Sequence, residues 1–362
     1  MRCVVSKKLS SACKILSIEE SDTPIHMFAF NDGVQGSLRL EASDGIKHLA
    51  LFLTAEVDED FDFIVPARYI PVLSNMNGDI IFSALKKHMR ISDSSSTINI
   101  PFFEGNGPLR PAIGTPLGTV TTELNIVKDL FERALFAAGS EKNADHRFNY
   151  GCILLECNQD VVRAVGSDRR VIAISTIYKG SPYQGRFLLP KVGVRMIGKM
   201  DGDMLTMSFY DRAVGFTVDG EMSCELYIPE HNGVFPPYED VTVKGRTFLK
   251  GSRDEFLSVV SHMRKLSDKL QINMSYANYV KRPPRFSARD DFGVSMERFP
   301  DLRWEGDPLK IKVNASTFYG VIKHARGNVT VSFTNDMGPI RVEGEDSSYV
   351  AFLMPFLPTE RR

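Results

Sequence analysis

Apolar residues recur at the spacing of one helix face near the start of three successive parts of the chain. A stripe at positions i, i+3, i+4 and i+7 is typical of an amphipathic helix that packs on a core. Ser252 precedes the third stripe and Glu255 follows three residues later, which is the pattern of a helical capping box. The three stripes consist of Leu9, Ala12, Cys13 and Leu16; of Ile126, Leu130, Phe131, Ala134 and Leu135; and of Phe256, Val259, Val260 and Met263.

Short apolar runs between these helices predict strands. Residues 39–43, 151–155 and 340–343 are examples, and Asp-Gly pairs lie between such runs where hairpins would turn. Each third of the chain reads as a strand, a helix and three strands, followed by a second round in the same order. This order predicts an α+β fold of repeated domains, each with two helices packed on antiparallel sheets.

A short motif that ends an apolar run and opens a helical stretch occurs three times. Its central residues are numbered 66, 190 and 314, so successive copies are 124 residues apart. Glycines followed by Asp or Asn and then by a strand occur at 78, 202 and 327, in nearly the same register. Two independent landmarks at one spacing indicate three copies of one domain. The copies of the first motif are Val65-Pro66-Ala67, Leu189-Pro190-Lys191 and Val313-Asn314-Ala315.

The predicted domains comprise residues 1–116, 117–243 and 244–362. The first boundary ends a segment rich in proline and glycine, and the second follows Phe235-Pro236-Pro237-Tyr238. Domains of about 120 residues have a usual size. Six half-units of one plan predict a curved array, which closes into a ring if two chains meet head to tail.

Composition narrows the class of protein. The 362 residues are 43% apolar and 25% charged, as in a soluble protein, and the formal charge of −1 provides no overall basic field for nucleic acid. The five cysteines are scattered, and the sequence contains neither an apolar leader nor a stretch of about 20 apolar residues. We therefore expect a cytoplasmic protein with reduced thiols.

Signals for catalysis are weak. The seven histidines include no pair at i, i+4, and Cys152 and Cys157 have no second pair nearby to complete a zinc site. The segment Ser11-Ala12-Cys13-Lys14 matches a Ser-x-x-Lys pattern but lacks the accompanying motifs of penicillin-interacting enzymes. We expect a protein without catalytic residues, metal or cofactor.

Five segments in order along the chain carry a family resemblance. They are Leu40-Glu41-Ala42-Ser43-Asp44, Phe63-Ile64-Val65-Pro66-Ala67-Arg68, the nine residues 167–175, Phe235-Pro236-Pro237-Tyr238, and residues 349–356. The third is similar to a Thr-Asp-Gly-His-Arg-Leu-Ala-Val-Ser segment, the fourth to Phe-Pro-Asp-Tyr and the last to Tyr-Val-Val-Met-Pro-Met. The family in which the similar segments occur is the bacterial sliding clamp, the beta subunit of DNA polymerase III. The chain resembles this family over its whole length.

The resemblance implies a head-to-tail homodimeric ring of six similar domains, with helices around a central hole. Such a DNA polymerase processivity factor performs no chemistry. It encircles double-stranded DNA without reading its sequence and tethers the polymerase, so that a weak contact acts at high effective concentration. The implied partners are double-stranded DNA, the replicative polymerase subunit, the clamp loader and repair or translesion polymerases that bind through short peptides. No membrane is implied.

Basic residues on the polar faces of the helices are candidates for contact with DNA phosphates. Lys191, Arg195 and Lys199 have the spacing of one helix face and form the sharpest basic stripe. The alternative is an ordinary solvated helix face. The resemblance also implies a DNA contact between elements of the second domain, at Arg147. The predicted DNA-facing residues on helices are Lys7, Lys8, Lys14, Lys128, Arg133, Lys191, Arg195, Lys199 and Lys323, with Arg264, Lys265, Lys269 and Arg326 as further candidates.

The resemblance also implies a groove between the second and third domains that binds short apolar peptides. Arg169 and Arg170 stand where glycine and histidine are usual, Val171 replaces an arginine, and Asp240 stands where a basic residue is usual. The charge pattern of the groove is therefore altered. The alternative is that the terminal Met-Pro-Phe packs a last strand. The matched positions are Ser167, Arg169, Arg170, Val171, Ile172, Pro236, Val241, Asn314, Thr317, Leu353, Met354, Pro355 and Phe356.

The implied dimer interface joins the last strand of the first domain to the third domain of the other chain. Ile98 and Ile100 share one face of that strand. Leu266 matches an apolar interface position, whereas Lys265 replaces another. The alternative for the isoleucines is the core of their own domain.

Two other functions remain open beside the processivity clamp. The altered groove is compatible with a specialised clamp paralogue that serves another polymerase. A β-rich hydrolase or ligand-binding protein is the hypothesis from another class. The oligomeric state distinguishes a clamp of either kind from this last hypothesis, because a monomer at micromolar concentration contradicts a ring.

Overall fold

The computed structural model describes most of the chain. The described residues are 2–5, 8–16, 23–31, 36–85, 88–103, 114–140, 147–220, 222–241, 245–277 and 280–356. These residues form six α-helices, which are α1 (Lys8–Leu16), α2 (Ile70–Leu73), α3 (Leu124–Leu135), α4 (Lys191–Ile197), α5 (Arg253–Leu266) and α6 (Ala315–His324). No helix within these ranges is both long enough and apolar enough to cross a membrane.

The same residues form 27 strands. Their order around the helices matches the prediction in the first two thirds of the chain, whereas the last third has seven strands between α5 and α6 instead of the predicted four. The strands are β1 (Arg2–Val5), β2 (Pro24–Asn31), β3 (Gly36–Ser43), β4 (His48–Val57), β5 (Phe61–Pro66), β6 (Ile80–Ala84), β7 (His88–Ser92), β8 (Thr97–Pro101), β9 (Gly118–Glu123), β10 (Cys152–Cys157), β11 (Val162–Ser167), β12 (Val171–Ile177), β13 (Gly185–Pro190), β14 (Met204–Phe209), β15 (Ala213–Val218), β16 (Met222–Pro229), β17 (Thr247–Ser252), β18 (Lys269–Met274), β19 (Tyr276–Ala277), β20 (Val280–Lys281), β21 (Arg285–Arg289), β22 (Ser295–Arg298), β23 (Arg303–Gly306), β24 (Leu309–Asn314), β25 (Asn328–Phe333), β26 (Ile340–Glu343) and β27 (Tyr349–Leu353).

The threefold motif marks the step from a strand to a helical turn in every copy. Strands β5, β13 and β24 end at Pro66, Pro190 and Asn314, and the next residue begins a helical turn each time. Proline pre-sets the backbone for this step, and asparagine caps the helix with its side chain. The landmark glycines 78, 202 and 327 have φ angles of 76°, 145° and 63°, which favour glycine. The predicted repeat of α+β units is confirmed.

The chain forms two compact units. One comprises Met1–Asp129 with Gly180–His231, and the other comprises Leu130–Lys179 with Asn232–Arg362. The division into three domains at 1–116, 117–243 and 244–362 stays a prediction.

A 12-stranded antiparallel sheet forms the first unit. Its order is β8-β7-β6-β1-β4-β16-β15-β14-β9, with β3 beside β4 and β2 between β3 and β5. The ten-residue strand β4 is the junction of this sheet. Ala55 and Val57 pair with β1, whereas residues 48–53 pair with β16. Helix α1 buries the predicted stripe of Leu9, Ala12, Cys13 and Leu16.

The strands of the second unit form two sheets and a small hairpin. Eight of its strands follow the order β10-β11-β12-β27-β26-β25-β17-β23, a separate sheet has the order β22-β21-β18-β24, and β19 pairs with β20. In the first of these sheets Val171 of β12 lies opposite Leu353 of β27. Helices α5 and α6 contribute Phe256, Val260 and Phe318 to a core that they share with β18, β21 and β24.

Both long helices of the second unit begin with a side-chain cap. The Ser252 hydroxyl accepts the Glu255 N–H at 3.3 Å, as the sequence predicts for α5. At the start of α6, Asn314 Oδ1 accepts the Thr317 N–H at 2.8 Å. These bonds satisfy backbone donors that the first helical turn leaves without partners.

Candidate functional site

Most of the predicted DNA-facing residues lie on or beside helices and reach solvent. Lys14 on α1, Arg195 on α4 and Lys323 on α6 are exposed, as is Arg147 before β10. Lys8, Lys128 and Lys191 are half-buried. Lys7 lies outside the described residues. The apolar stripes of the helices face the protein, so most of these cations lie on the sides that reach solvent.

Helix α4 is shorter than its basic stripe predicts. It ends at Ile197, and the N–H of Lys199 donates to the Met196 carbonyl at 2.9 Å in the turn that follows. Lys199 is exposed, but it does not continue the helical face of Lys191 and Arg195. The stripe therefore consists of two helical residues and one turn residue.

Arg133 requires a correction, because its side chain is buried rather than directed to solvent. It is only 3% exposed, its Nη1 donates to the Ser348 hydroxyl at 2.8 Å, and its guanidinium lies over the Tyr349 ring. Ser348 in turn donates to Asp346 at 2.7 Å. This network links α3 to β27 within the second unit, so Arg133 leaves the set of DNA-facing residues.

Of the further candidates, Lys269 lies outside a helix, whereas Arg264 lies on α5 and packs on a ring of the neighbouring helix. Lys269 is the first residue of β18, because α5 ends at Leu266. The guanidinium of Arg264 stacks 3.8 Å from the centre of the Tyr319 ring, which joins α5 to α6.

The β11–β12 hairpin carries the first part of the predicted peptide groove. Asp168 Oδ1 accepts the N–H groups of Arg170 and Val171 at 2.9 Å each, which closes the turn. Arg169 has a φ of 79°, in the left-handed region that favours glycine, and its guanidinium lies over the Tyr150 ring. Ser167 is buried at the end of β11.

Residues at the C-terminal end connect this hairpin to β24. The Met354 N–H donates to the Arg170 carbonyl at 2.8 Å, and the Phe356 N–H donates to the Lys312 carbonyl at 2.8 Å. Leu353 is buried, whereas the Met354 side chain is 45% exposed. The structure thus brings the hairpin and the Met-Pro-Phe segment together. Asn314 and Thr317 lie two and five residues after Lys312, and Asn314 caps α6 by accepting the Thr317 N–H.

An apolar patch beside the hairpin completes the candidate groove. Leu154, Val165 and Tyr238 are buried together, and Ile172, Ile174 and Phe235 pack against them while remaining partly exposed. Pro236 and Val241 are half-buried in the same segment as Tyr238. Sequence reasoning selected Ile172, Pro236 and Val241 but missed Ile174, Phe235 and Tyr238. The alternation of Ile172 and Ile174 in one strand was the available signal.

A polar network holds Tyr238 in this patch. Its hydroxyl donates to Glu156 at 2.5 Å and accepts a long bond of 3.5 Å from Arg163. Burial, reinforced by the hydrogen bond to Glu156, raises the pKa of Tyr238 to about 12. The phenol therefore remains a neutral donor, and the segment 235–238 is fixed over the sheet.

The predicted interface strand β8 ends the sheet of the first unit. Ile98 is half-buried, but Ile100 is fully buried in its own unit, so the alternative of a core position holds for Ile100. In the second unit, Leu266 packs against the core. Neither Ile100 nor Leu266 presents a wholly exposed apolar surface.

Strand β22 ends the four-stranded sheet of the second unit and has exposed apolar residues around it. Phe292 is 96% exposed, Val294 57% and Phe299 62%. The turn that carries Phe292 is ordered by Asp290, whose Oδ1 accepts the Phe292 and Val294 N–H groups. Sequence reasoning missed these residues. A cluster of exposed apolar side chains beside a sheet edge is typical of an interaction surface.

Two observations on the described residues concern metal binding and thiol chemistry. They include no group of three or more His, Cys, Asp or Glu side chains placed to hold a metal ion. Burial raises the pKa of the Cys3, Cys13 and Cys224 thiols to about 12, so these cysteines are poor nucleophiles.

The fold matches solved structures over nearly its full length. The DNA polymerase III beta subunit of Thermotoga maritima aligns with a TM-score of 0.83 and 18% identity over 99% of this chain and 100% of that one. The sliding clamp of Bacillus subtilis gives 0.85 and 14% over the same shares. A Pseudomonas aeruginosa sliding clamp bound to griselimycin gives 0.83 and 17%, again over 99% and 100%. No protein-family model and no curated protein sequence matches this chain.

The chain has the fold of a sliding clamp. This finding confirms the fold that the sequence resemblance implied. The clamp fold contains the repeated α+β units, and it accounts for the recurrence of a strand-to-helix motif at 66, 190 and 314. With identities of 14 to 18%, the match concerns the fold. The individual site residues stay predictions.

Proposed function

We propose that this protein is a non-enzymatic DNA polymerase processivity clamp of the cytoplasm. Two copies close around double-stranded DNA, and the closed pair tethers a replicative polymerase. The observation that supports this most strongly is the agreement with sliding clamps over 99% of this chain and 100% of theirs. Retention on DNA is then topological, and the near-neutral charge of −1 is suited to sliding because few phosphates are held.

The pairing of strands within the chain supports a specific way of closing the ring. The predicted domains 1–116, 117–243 and 244–362 are called repeats one, two and three. β4 is the last strand of the first half of repeat one, and it pairs with β16, the last strand of repeat two. β12 holds the corresponding position in repeat two and pairs with β27, the last strand of repeat three. In repeat three the strand at this position of the sheet is β22, which ends the order β24-β18-β21-β22 as β4 follows β2 and β3 and as β12 follows β10 and β11. β22 and β8, the last strand of repeat one, therefore remain, and each ends its sheet.

We therefore assign the dimer interface to β22 of one copy and β8 of the other. Edge strands present unpaired backbone groups, which an antiparallel partner satisfies. The exposed side chains of Phe292, Val294 and Phe299 flank β22, and Ile98 and the exposed Phe103 lie on or beside β8. A twofold pair uses this contact twice, so that neither β22 nor β8 remains an unpaired edge in either copy.

The proposed DNA-facing residues are the cations that reach solvent on or beside helices. They are Lys8, Lys14, Lys128, Lys191, Arg195, Lys199, Lys323 and, in the loop before β10, Arg147. Long basic side chains contact phosphates without reading bases, so they allow movement along the duplex. Arg133 is omitted because it is buried.

The proposed partner site is the apolar patch of Ile172, Ile174 and Phe235 together with Met354. Partly exposed apolar side chains beside a flexible methionine accept short leucine- and phenylalanine-bearing peptides. A fluorescent peptide of this kind from a polymerase subunit should bind the protein. Deleting 354–362 or changing Met354→Glu should abolish its binding, whereas deleting only 357–362 should not. Equal affinity for all forms would refute the site.

One experiment tests the clamp function itself. The protein is loaded by a clamp loader on nicked circular DNA, and the circle is then linearised. We expect stable retention on the circle and rapid loss from the linear molecule. Equal retention on both would indicate adhesive binding and contradict the proposal. Arg246→Glu serves as a control, because it alters the net charge at an exposed position outside the proposed DNA-facing set.

A specialised clamp for another polymerase is the second candidate function. It is favoured by Arg169, which adopts a left-handed backbone conformation beside the partner site and adds a cation there. Peptides from replicative and translesion polymerases compared on the same protein distinguish the two. Preference for a translesion peptide would favour the specialised role.

A further inference from the structure

A polar cleft crosses one face of the sheet β22-β21-β18-β24. Alternate residues of these strands, such as Leu270, Ile272 and Ile311, are buried on the opposite face against α5 and α6. The cleft therefore lies on the side of the sheet away from the helices. Side chains from all four strands line it, among them Lys269, Gln271, Ser287, Arg289, Glu297 and Lys312.

The strand register fixes how these side chains are arranged. Gln271 lies opposite Lys312 on one side and opposite Ser287 on the other, and Ser287 lies opposite Glu297. Lys269 precedes Gln271 by two residues on the same face. Neighbouring strands are about 4.8 Å apart, and residues i and i+2 of one strand are about 6.8 Å apart. The backbone positions of Lys269, Arg289 and Lys312 therefore lie within about 12 Å of one another.

The charge of the cleft is strongly positive. Glu297 is its acidic member, and the Arg285 guanidinium donates to its carboxylate at 3.3 Å. Lys269, Arg289 and Lys312 are all exposed, and Lys310 adds another exposed cation two residues before Lys312. This concentration of positive charge contrasts with the chain's total of −1.

We propose that this cleft is a docking site for an acidic polypeptide segment of a partner protein. Carboxylates on alternate residues of an extended segment are about 6.8 Å apart, which matches the spacing of Lys310 and Lys312 along β24. The planar guanidinium of Arg289 offers paired donors to a carboxylate. The site lies beyond the apolar patch proposed for polymerase peptides and provides a second point of attachment.

Two observations favour an acidic polypeptide over other occupants. Single-stranded nucleic acid is usually held by aromatic side chains on which bases stack, and no aromatic residue is among the residues that line the cleft. The chain's own end has the wrong charge. Phe356 donates to the Lys312 carbonyl at the edge of this sheet, but the six residues that follow contain one glutamate and two arginines.

The test uses the full-length protein and a fluorescein-labelled ten-residue peptide in which aspartate and serine alternate. We expect it to bind and to be released by salt, because exposed charges are screened. The double variant K269E/K312E should weaken binding at least tenfold, and K269Q/K312Q should cause a smaller loss in the same direction. The matched control Arg246→Glu should retain the affinity, and the peptide with asparagine for aspartate should not bind.

Three outcomes would overturn the proposal. They are no binding of the acidic peptide, equal binding to K269E/K312E and to the unaltered protein, and stronger binding of a ten-nucleotide thymidine oligomer with the same dependence on these lysines. Thermal unfolding of each variant verifies that the fold is intact, and the glutamine variant replaces the glutamate variant if the latter unfolds. Retention on nicked circular DNA is measured in parallel, since failure of the clamp function would alter retention and leave the cleft's affinity unchanged.

Discussion

Arg133 illustrates how a basic residue on a helix can stabilise the fold instead of contacting DNA. Its guanidinium donates to Ser348 and stacks over Tyr349, both distant in sequence. Changing Arg133→Gln should lower the free energy of unfolding by about 2 kcal/mol, because a buried hydrogen bond from a charged donor is lost. It should leave the salt dependence of DNA binding unchanged. Urea unfolding and DNA affinity at several salt concentrations measure both effects.

Lys14 provides the matched comparison. It is exposed on α1, so Lys14→Gln should change stability by less than about 0.5 kcal/mol. If it contacts a phosphate, the slope of log affinity against log salt should fall by about 0.9. These assignments would be wrong if Arg133→Gln reduced the slope of log affinity against log salt more than Lys14→Gln did.

His324 should make the second unit sensitive to acid. Burial, followed by the nearby charges of Lys323, Arg133 and Arg253, lowers its pKa from 6.5 to about 4, and its ring stacks on Phe136. As the pH falls, His324 of the unfolded chain therefore binds a proton at a higher pH than His324 of the folded chain. The stabilising contribution is complete above pH 6.5 and is lost as the pH falls from 6.5 towards 4.

The loss should be on the order of 2 kcal/mol, allowing for the partial exposure of the ring. Urea unfolding at pH 7, 6 and 5 should show a smaller dependence on pH in His324→Gln than in the unaltered protein. The exposed His88→Gln is the control and should keep the original dependence. If stability depended on pH equally in His324→Gln and His88→Gln, His324 would not be the source of the acid sensitivity.

At the scale of elements, the sequence pattern correctly predicted the features that depend on residues close together in the sequence. The stripes of α1, α3 and α5, the cap at Ser252 and the strand-to-helix step at 66, 190 and 314 are all local patterns. The misplaced residues depend on distant contacts. The burial of Arg133 requires Ser348 and Tyr349, and hydrophobicity alone does not distinguish the buried Ile100 from the exposed Phe292.

The cap of α5 permits a direct test at this scale. Ser252→Ala removes the acceptor of the Glu255 N–H and should cost about 1 kcal/mol of stability. Hydrogen exchange should accelerate first at residues 253–256, since the opening turn loses its side-chain acceptor. Ser258→Ala, at an exposed position within the same helix, should alter stability by less than about 0.5 kcal/mol. Similar losses in the two variants would argue against a specific cap.

At the scale of the whole molecule, the repeat supports the proposed pairing of two chains. Two pairings within the chain, β4 with β16 and β12 with β27, use equivalent strands of successive repeats. The third equivalent pair consists of β22 and β8. Both strands end their sheets and have apolar residues beside them, and such edges tend to pair with another strand. In the proposed dimer, the contact between β22 and β8 would therefore both join the two chains and close the ring.

The assembly prediction concerns the exposed residues beside β22. A double change, Val294→Asp with Phe299→Asp, places two charges at the proposed interface and should convert the dimer into a 40.6 kDa monomer. Val280→Asp introduces a charge at another exposed apolar position of the same unit and should leave the dimer intact. Analytical ultracentrifugation at micromolar concentration measures the mass. The monomeric variant should still unfold cooperatively but should leave circular DNA as fast as linear DNA, because an open chain cannot be retained topologically. A dimer of unaltered strength in the double variant would exclude β22 from the interface.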